Sequence, residues 1–192
     1  MKRCDWCTGS ELYINYHDTE WGVPVYEDNL HFEFLTLESA QSGLSWITIL
    51  KKRENYRHAY DNFDIQKVAH YDEKKMVELL SNAGIVRNRM KIEASIVNAR
   101  KFIEIQNEFG SFTKYIWAFT DGKPIVGEYK SIYEIPSKTH LSDMIAKDMK
   151  KKGFKFLGSV TIYSHLQAAG IVNDHTLDCF RYKDLTQDIS FK

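Results

Sequence analysis

Along most of this chain apolar residues recur at three- and four-residue intervals, and alternation with period two is nearly absent. That periodicity predicts an all-α protein. Asp28 stands where a helix cap is needed, and Leu30, Phe34, Leu37, Glu38 and Gln41 then follow helical spacing until Gly43. A second helix is predicted from about Ser45 through Ile47 and Leu50 to Tyr60, and Asp64, Asp72 and Gly84 mark breaks around shorter ones. Residues 88–107 form a longer amphipathic helix with Ile92, Ile96, Ala99 and Ile103 on one stripe. Gly110 stops it and Ser111 starts the next. Residues 1–27, although rich in aromatics, read as irregular, and residues 120–137, with Pro124 and Pro136, read as the main irregular stretch.

The last third has a sharper pattern. Leu141–Lys152 reads as a helix, GFKFLG (153–158) as a short turn with glycine at both ends, and Ser159–Ala169 as a helix closed by Gly170. This is a helix-hairpin-helix arrangement. Gly153 and Gly158 allow close approach of the backbone to a phosphate, and the free amides at the start of the second helix attract an anion. Lys150, Lys151, Lys152 and Lys155 add positive charge. An ordinary αα-hairpin carrying a solvated lysine run is the competing reading.

Charge gives no global cue: 26 basic residues balance 26 acidic ones, so any nucleic-acid or membrane contact has to come from a local patch. Hydrophobic residues make up 43% of the chain, enough for a sizeable core and against disorder. No repeat, low-complexity segment or linker is visible, and the expected organisation is a single domain over 1–182, with two helical lobes around a cleft as a variant, followed by a tail at 183–192. The N-terminus MKRCDWCTGS lacks the apolar core of a signal peptide, and the longest apolar runs, such as residues 44–50, are too short to span a bilayer. With three cysteines in no disulfide framework, the expected setting is the cytoplasm.

Two sets of residues suggest chemistry. Cys4 and His17 near one end, with His175 and Cys179 near the other, make a Cys2His2 set suited to tetrahedral zinc, and the H-x3-C spacing places the last two on one face of a helix. Four ligands leave no open position, so such a site is structural. Cys7, in C-x2-C with Cys4, offers a competing ligand or a redox pair, and buried cysteines and histidines are also ordinary core residues. Glu38 is the second feature, a carboxylate on an apolar helix stripe, which implies either a paired charge or a functional one. Trp46 and the cluster Trp6, Tyr13, Tyr16 and Trp21 are core by default. Combined with one buried carboxylate they suit a flat, cationic, hydrogen-bonding ligand. No G-x-S-x-G, Walker A, H-E-x-x-H or Rossmann pattern occurs.

The runs YHDTEWGVP (16–24), LESAQSGLSWITILKKRENYR (37–57), KKGFKFLG (151–158) and AAGIVNDH (168–175) closely resemble the bacterial 3-methyladenine DNA glycosylase I family, over nearly the whole chain from Arg3 to about Cys179. The resemblance implies an all-α member of the helix-hairpin-helix glycosylase superfamily. It implies one structural zinc ion held by Cys4, His17, His175 and Cys179, tying the N- and C-terminal segments together. It implies a base pocket built by Tyr16, Glu38 and Trp46, with Trp6, Tyr13 and Trp21 close by, beside the phosphate contacts that the hairpin itself suggests at Gly153, Lys155 and Gly158. The implied activity is excision of 3-methyladenine, and to a lesser extent 3-methylguanine, from alkylated double-stranded DNA. It uses base flipping, has no lyase step, and is carried out by a monomer that makes no membrane contact. An extruded cationic purine already has a weakened glycosidic bond, so recognition rather than protonation carries the reaction. Asp174 and Asp178 flank His175 and receive no catalytic role. A noncatalytic, zinc-stapled DNA-binding module is the alternative from another class, and a zinc hydrolase is a third that needs an open metal position.

Overall fold

The computed structural model describes residues 1–188 of the 192. The chain is mostly helical, 64%, as the periodicity predicts. The helices are α1 (Glu11–Thr19), α2 (Asp28–Gln41), α3 (Trp46–Ala59), α4 (Ile65–Ala69), α5 (Glu73–Ser81), α6 (Arg89–Phe109), α7 (Phe112–Trp117), α8 (His140–Lys151), α9 (Ser159–Ala168) and α10 (Phe180–Asp188). A two-residue parallel pairing of β1 (Ile125–Val126) with β2 (Val172–Asn173) ties the irregular stretch after α7 to the chain that follows α9.

The core is organised around α2. It packs against α3, α6, α7 and α9, and every residue from His31 to Ala40 is buried. This differs from the predicted one-sided stripe, because a helix surrounded by neighbours must be apolar or paired all round. On α6, Ile92, Ile96 and Ala99 of the predicted stripe are buried and Ile103 is half-buried.

Three expectations need correction. Residues 1–27 contain α1, whose N-cap Ser10 accepts a hydrogen bond from the Tyr13 amide at 3.2 Å. The aromatic-rich composition masks the helical spacing of Tyr13, Tyr16 and His17. Asp28 is not the cap of α2, which is Glu27. The Asp28 carboxylate instead accepts from the Phe112 and Thr113 amides at 2.8 and 2.9 Å, from the Thr113 hydroxyl, and from the Gln106 carboxamide. It thus satisfies the start of α7, a helix distant in sequence. Burial alone would raise its pKa, but these bonds outweigh burial and hold it below the usual carboxylate value. Finally, α10 runs through the boundary expected at 182 and buries Leu185, while the last four residues of the expected tail lie outside the described residues.

Gly170 closes α9 with φ +64°, and a Cβ there would lie 2.4 Å from the Val23 carbonyl carbon. Only glycine lets the end of α9 meet the Val23–Pro24 backbone. Beside this junction sits a buried imidazole pair. His31 donates through Nε2 to the Val25 carbonyl at 3.2 Å, so its Nδ1 accepts from His165 Nε2 at 3.1 Å. Both rings are fully buried. Desolvation lowers the His31 pKa to about 4 and pushes His165 well below the usual histidine value.

A histidine whose folded pKa is depressed binds more protons when unfolded. Its contribution is therefore complete above about pH 6.5 and is lost as pH falls toward the folded value. Stability should decline by about 3 kcal/mol from this residue between pH 6.5 and 4. The His31 ring C2–H resonance should stay at its neutral position down to about pH 5. A midpoint near 6.5 in the folded protein would contradict the neutral pair.

Candidate active site and metal centre

The two ends of the chain meet at one point. Cys4, His17, His175 and Cys179 are all buried, with one ligand atom each within 4.8 Å of the others. Cys4 Sγ lies 3.6 Å from His175 Nδ1, and Cys179 Sγ lies 3.5 Å from His175 Nδ1 and 3.4 Å from His17 Nε2. Tetrahedral coordination with Zn–S near 2.3 Å and Zn–N near 2.0 Å separates S and N by about 3.5 Å, so the donor set fits a four-coordinate cation. The other ring nitrogens are already engaged. His17 Nδ1 donates to Asp18 at 2.8 Å, with Arg3 gripping the same carboxylate at 2.8–3.0 Å, and His175 Nε2 donates to the Trp21 carbonyl at 3.0 Å. These contacts fix each ring with its metal-facing nitrogen free of a proton. Without a cation, the hydrogen bond from the Cys4 thiol holds Cys179 far below the ordinary thiol range, and the same bond drives Cys4 above it. Cys7 stands apart. Its thiol donates to the Cys4 carbonyl at 3.1 Å, and it is not among the four clustered residues.

The cluster of cysteines and histidines forms the back of a cavity. Trp21 packs edge-on against His175 with ring centroids 4.5 Å apart, and Trp6 lies 5.5 Å from the His17 ring. Both tryptophans also line a cavity of about 260 Å³, together with Tyr13, Tyr16, Glu38 and Trp46. All six residues expected at a base pocket thus come together. α1 supplies Tyr13 and Tyr16, α2 supplies Glu38, and α3 begins with Trp46. The Tyr13 hydroxyl accepts from the Ile47 amide at 3.1 Å and fixes the start of α3 against α1. Tyr16 and Trp46 lie 5.6 Å apart, tilted.

Polar atoms in this cavity lack protein partners. The Tyr16 hydroxyl and Trp46 Nε1 are buried without a hydrogen bond. Glu38 is 7% exposed and forms no ion pair with the described residues. Glu33, on the same helix, is the contrasting case, because Arg53 and Arg57 bond to it at 2.6 and 2.9 Å. Burial with no compensating cation raises the Glu38 pKa to about 8. Unsatisfied acceptor and donor groups around an aromatic cavity are features that a ligand completes.

Sequence reasoning missed Gln41, Ile132, Ile135, Ser164 and Gln167, which also line the cavity. Gln41 was on the α2 stripe, and Ser164 and Gln167 share one face of α9 by their spacing of three. Ile132 and Ile135 carry no signal in an irregular stretch. The turn 153–158 lies apart from these lining residues. Gly153 has φ +93°, Lys155 is exposed, and Gly158 precedes α9 without a side-chain cap. Asn98 of α6, also missed, clamps this turn: its Oδ1 accepts from the Lys155 amide at 2.8 Å and its Nδ2 donates to the Lys155 carbonyl at 3.0 Å.

A mostly helical fold with an aromatic cavity around one unpaired buried carboxylate defines a protein that binds a small, flat, donor-bearing ligand. The methyladenine glycosylase family matches residues 6–182, and the chain belongs to that family. It is 46% identical over 182 residues to DNA-3-methyladenine glycosylase 1 of Escherichia coli K12, covering 95% of this chain and 97% of that protein. The structure of 3-methyladenine DNA glycosylase I from Staphylococcus aureus, solved to explain 3-methyladenine recognition, superimposes with a TM-score of 0.90 at 39% identity, covering 94% of this chain and 96% of that one. A tyrosine-to-phenylalanine variant of 3-methyladenine DNA glycosylase I in complex with 3-methyladenine matches with the same TM-score at 38% identity, covering 94% and 97% of the two chains.

The Glu38 environment has a measurable consequence. Its folded pKa lies above the unfolded one, so the folded state loses stability as pH rises from about 4.5 to 8. Glu38→Gln removes that dependence. The variant should gain on wild type across this window, by at most about 5 kcal/mol at pH 8. Urea denaturation at pH 5 and 8 measures the gain, and an equal difference at both pH values would show Glu38 to be ionised throughout.

Proposed function

We propose that this protein is a DNA repair glycosylase. It hydrolyses the N-glycosidic bond of 3-methyladenine, and less readily of 3-methylguanine, in alkylated double-stranded DNA. The single observation that carries this reading is Glu38, a buried carboxylate without a partner among the described residues, in a cavity walled by the aromatic side chains of Trp6, Tyr13, Tyr16, Trp21 and Trp46. The names of the relatives support the same substrate.

A purine methylated at N3 in a nucleoside is a cation. Its charge offsets the desolvation of Glu38, which then ionises and accepts from the exocyclic amine. Tyr16 and Trp46 stack on the ring, with Trp6, Tyr13 and Trp21 shaping the remaining walls. Undamaged adenine is neutral, so Glu38 stays protonated beside it and the charge-assisted bond does not form, and that loss discriminates against it. The damaged nucleotide reaches the cavity by flipping out of the duplex. Because the substrate's charge already weakens the bond, no lyase step or acid is required of the protein.

Zinc is the ion we assign to Cys4, His17, His175 and Cys179. Two thiolates and two imidazoles are its preferred tetrahedral set, and the four ligands make the site structural. A closed site speaks against a zinc hydrolase. We assign the pair α8 and α9 to a helix-hairpin-helix element. Gly153, Lys155 and Gly158 hold the phosphate backbone there, the glycines by allowing close approach and Lys155 by charge, without reading sequence. A noncatalytic DNA-binding module would need this element but not Glu38. The proposed unit is one domain acting as a monomer in the bacterial cytoplasm. No helix among the described residues is long and apolar enough to cross a membrane.

Two outcomes check this reading. Purified protein should carry one zinc ion per chain. Cys4→Ser and Cys179→Ser should lose it and Cys7→Ser should keep it, by elemental analysis. Chelation should lower stability by up to about 5 kcal/mol, the limit set by closing so long a loop. Retention of zinc in Cys4→Ser with loss in Cys7→Ser would overturn the assignment. Wild-type protein should also release free 3-methyladenine from methylated DNA. Glu38→Ala should stay folded and zinc-loaded while its affinity for free 3-methyladenine falls by about 1.5–3 kcal/mol, followed by tryptophan fluorescence. Equal affinities would place the pocket elsewhere.

A further inference from the structure

We infer that Gln167, oriented by the buried Asp174, positions the water that attacks the sugar. This inference rests on the glycosylase reading above. Asp174 is 1% exposed. Its Oδ2 accepts from Gln167 Nε2 at 2.8 Å and from the Tyr163 hydroxyl. Its other oxygen is covered by Gly127, where a Cβ would lie 2.5 Å from Oδ1. The carboxylate faces only neutral donors, with no ion pair among the described residues.

This arrangement settles which way the Gln167 carboxamide points. Asp174 takes the NH2 group, because a carboxylate accepts and does not donate. The carbonyl Oε1 is the end left over, and it forms no hydrogen bond with the described residues. Gln167 lines the cavity beside Ser164, one helical turn earlier on the same face of α9. The cavity therefore has two kinds of wall. α1, α2 and α3 bring aromatics and Glu38, suited to a base. α9 brings a hydroxyl and a fixed carbonyl, which cannot stack on a ring.

Position along α9 gives the second wall its role. The helix starts at Ser159, immediately after the turn assigned to the phosphate. Ser164 and Gln167 lie about 8 and 12 Å further along the axis. The sugar–phosphate backbone runs on from the phosphate held at the turn, so an extruded nucleotide adjacent to that one, with its base among the aromatics, lays its sugar along this face.

The reaction balances without a base on the protein. The C1′–N bond breaks with its electron pair passing to the ring, which cancels the positive charge and frees a neutral base. The sugar becomes an oxocarbenium ion. The departed base recombines with C1′ unless a water oxygen bonds there first, so excision depends on that capture, and the water's extra proton passes to solvent. A carboxamide oxygen cannot remove that proton. It can hold the water by accepting one of its hydrogens, leaving a lone pair directed at C1′. Gln167 is thus the water-binding residue and Asp174 a positioning residue that acts through it.

Gln167→Met keeps the side-chain volume and removes the acceptor. On methylated DNA at saturating enzyme, its single-turnover excision rate should fall by about tenfold or more, while its affinity for free 3-methyladenine stays at the wild-type value. With methanol added, the variant should yield a larger share of the methyl glycoside than wild type does, because water loses its held position. Asp174→Asn should shift rate and product ratio in the same direction, with zinc content unchanged. A parallel loss of free-base affinity in Gln167→Met would make Gln167 a base contact and overturn the inference. So would an unchanged rate or product ratio. Wild-type protein that releases no methylated base would instead defeat the glycosylase reading itself, whereas active wild type with an indifferent Gln167→Met defeats this inference alone.

Discussion

The meeting of Cys4, His17, His175 and Cys179 is the constraint on which the rest of this structure depends. It joins segments separated by most of the chain, and the ligand cavity is built directly onto it. Tyr16 precedes His17 on α1, and Trp21 packs on the His175 ring while lining the cavity. Hydrogen bonds then propagate the order outward, from Arg3 through Asp18 to His17, and from His175 to the Trp21 carbonyl. The centre therefore shapes the pocket without contributing an atom to it.

α2 shows how the fold separates structural charge from functional charge. Glu33 and Glu38 are both buried on one helix. Glu33 is answered by Arg53, which also reaches Glu20, and so helps fasten α2 to α3. Glu38 has no such answer. Surrounding helices supply enough apolar contact to keep α2 in place despite the desolvation of Glu38, and that contact sustains an unpaired carboxylate ready for a ligand.

Much of this was legible in the sequence, because helices are written in local spacing. Ser111 and Gly110 sit where the periodicity placed a start and a stop. The four residues that cluster at the two ends of the chain were readable from residue type, and Glu38 from its conflict with the surrounding apolar pattern. The misses share a different cause. Asp28 caps a helix more than eighty residues away, Asn98 holds a turn contributed by another part of the chain, and Gln167 gains its meaning only from Asp174. In each case a polar residue serves a partner that no periodicity connects to it. Ile132 and Ile135 reach the cavity from an irregular segment, which β1 and β2 hold in place through a pairing too short to leave an alternating pattern.

The Asn98 clamp also has a bearing on how this protein can change. Both of its bonds go to the backbone of Lys155, so the shape of the turn does not depend on what the exposed side chain of Lys155 is. That residue can be exchanged, made more basic or less, while the backbone stays clamped as before. Under the phosphate role proposed for this turn, strength of attachment and stability of the fold are thereby independent variables, and drift at the surface can retune the former over many generations without exposing the latter to selection.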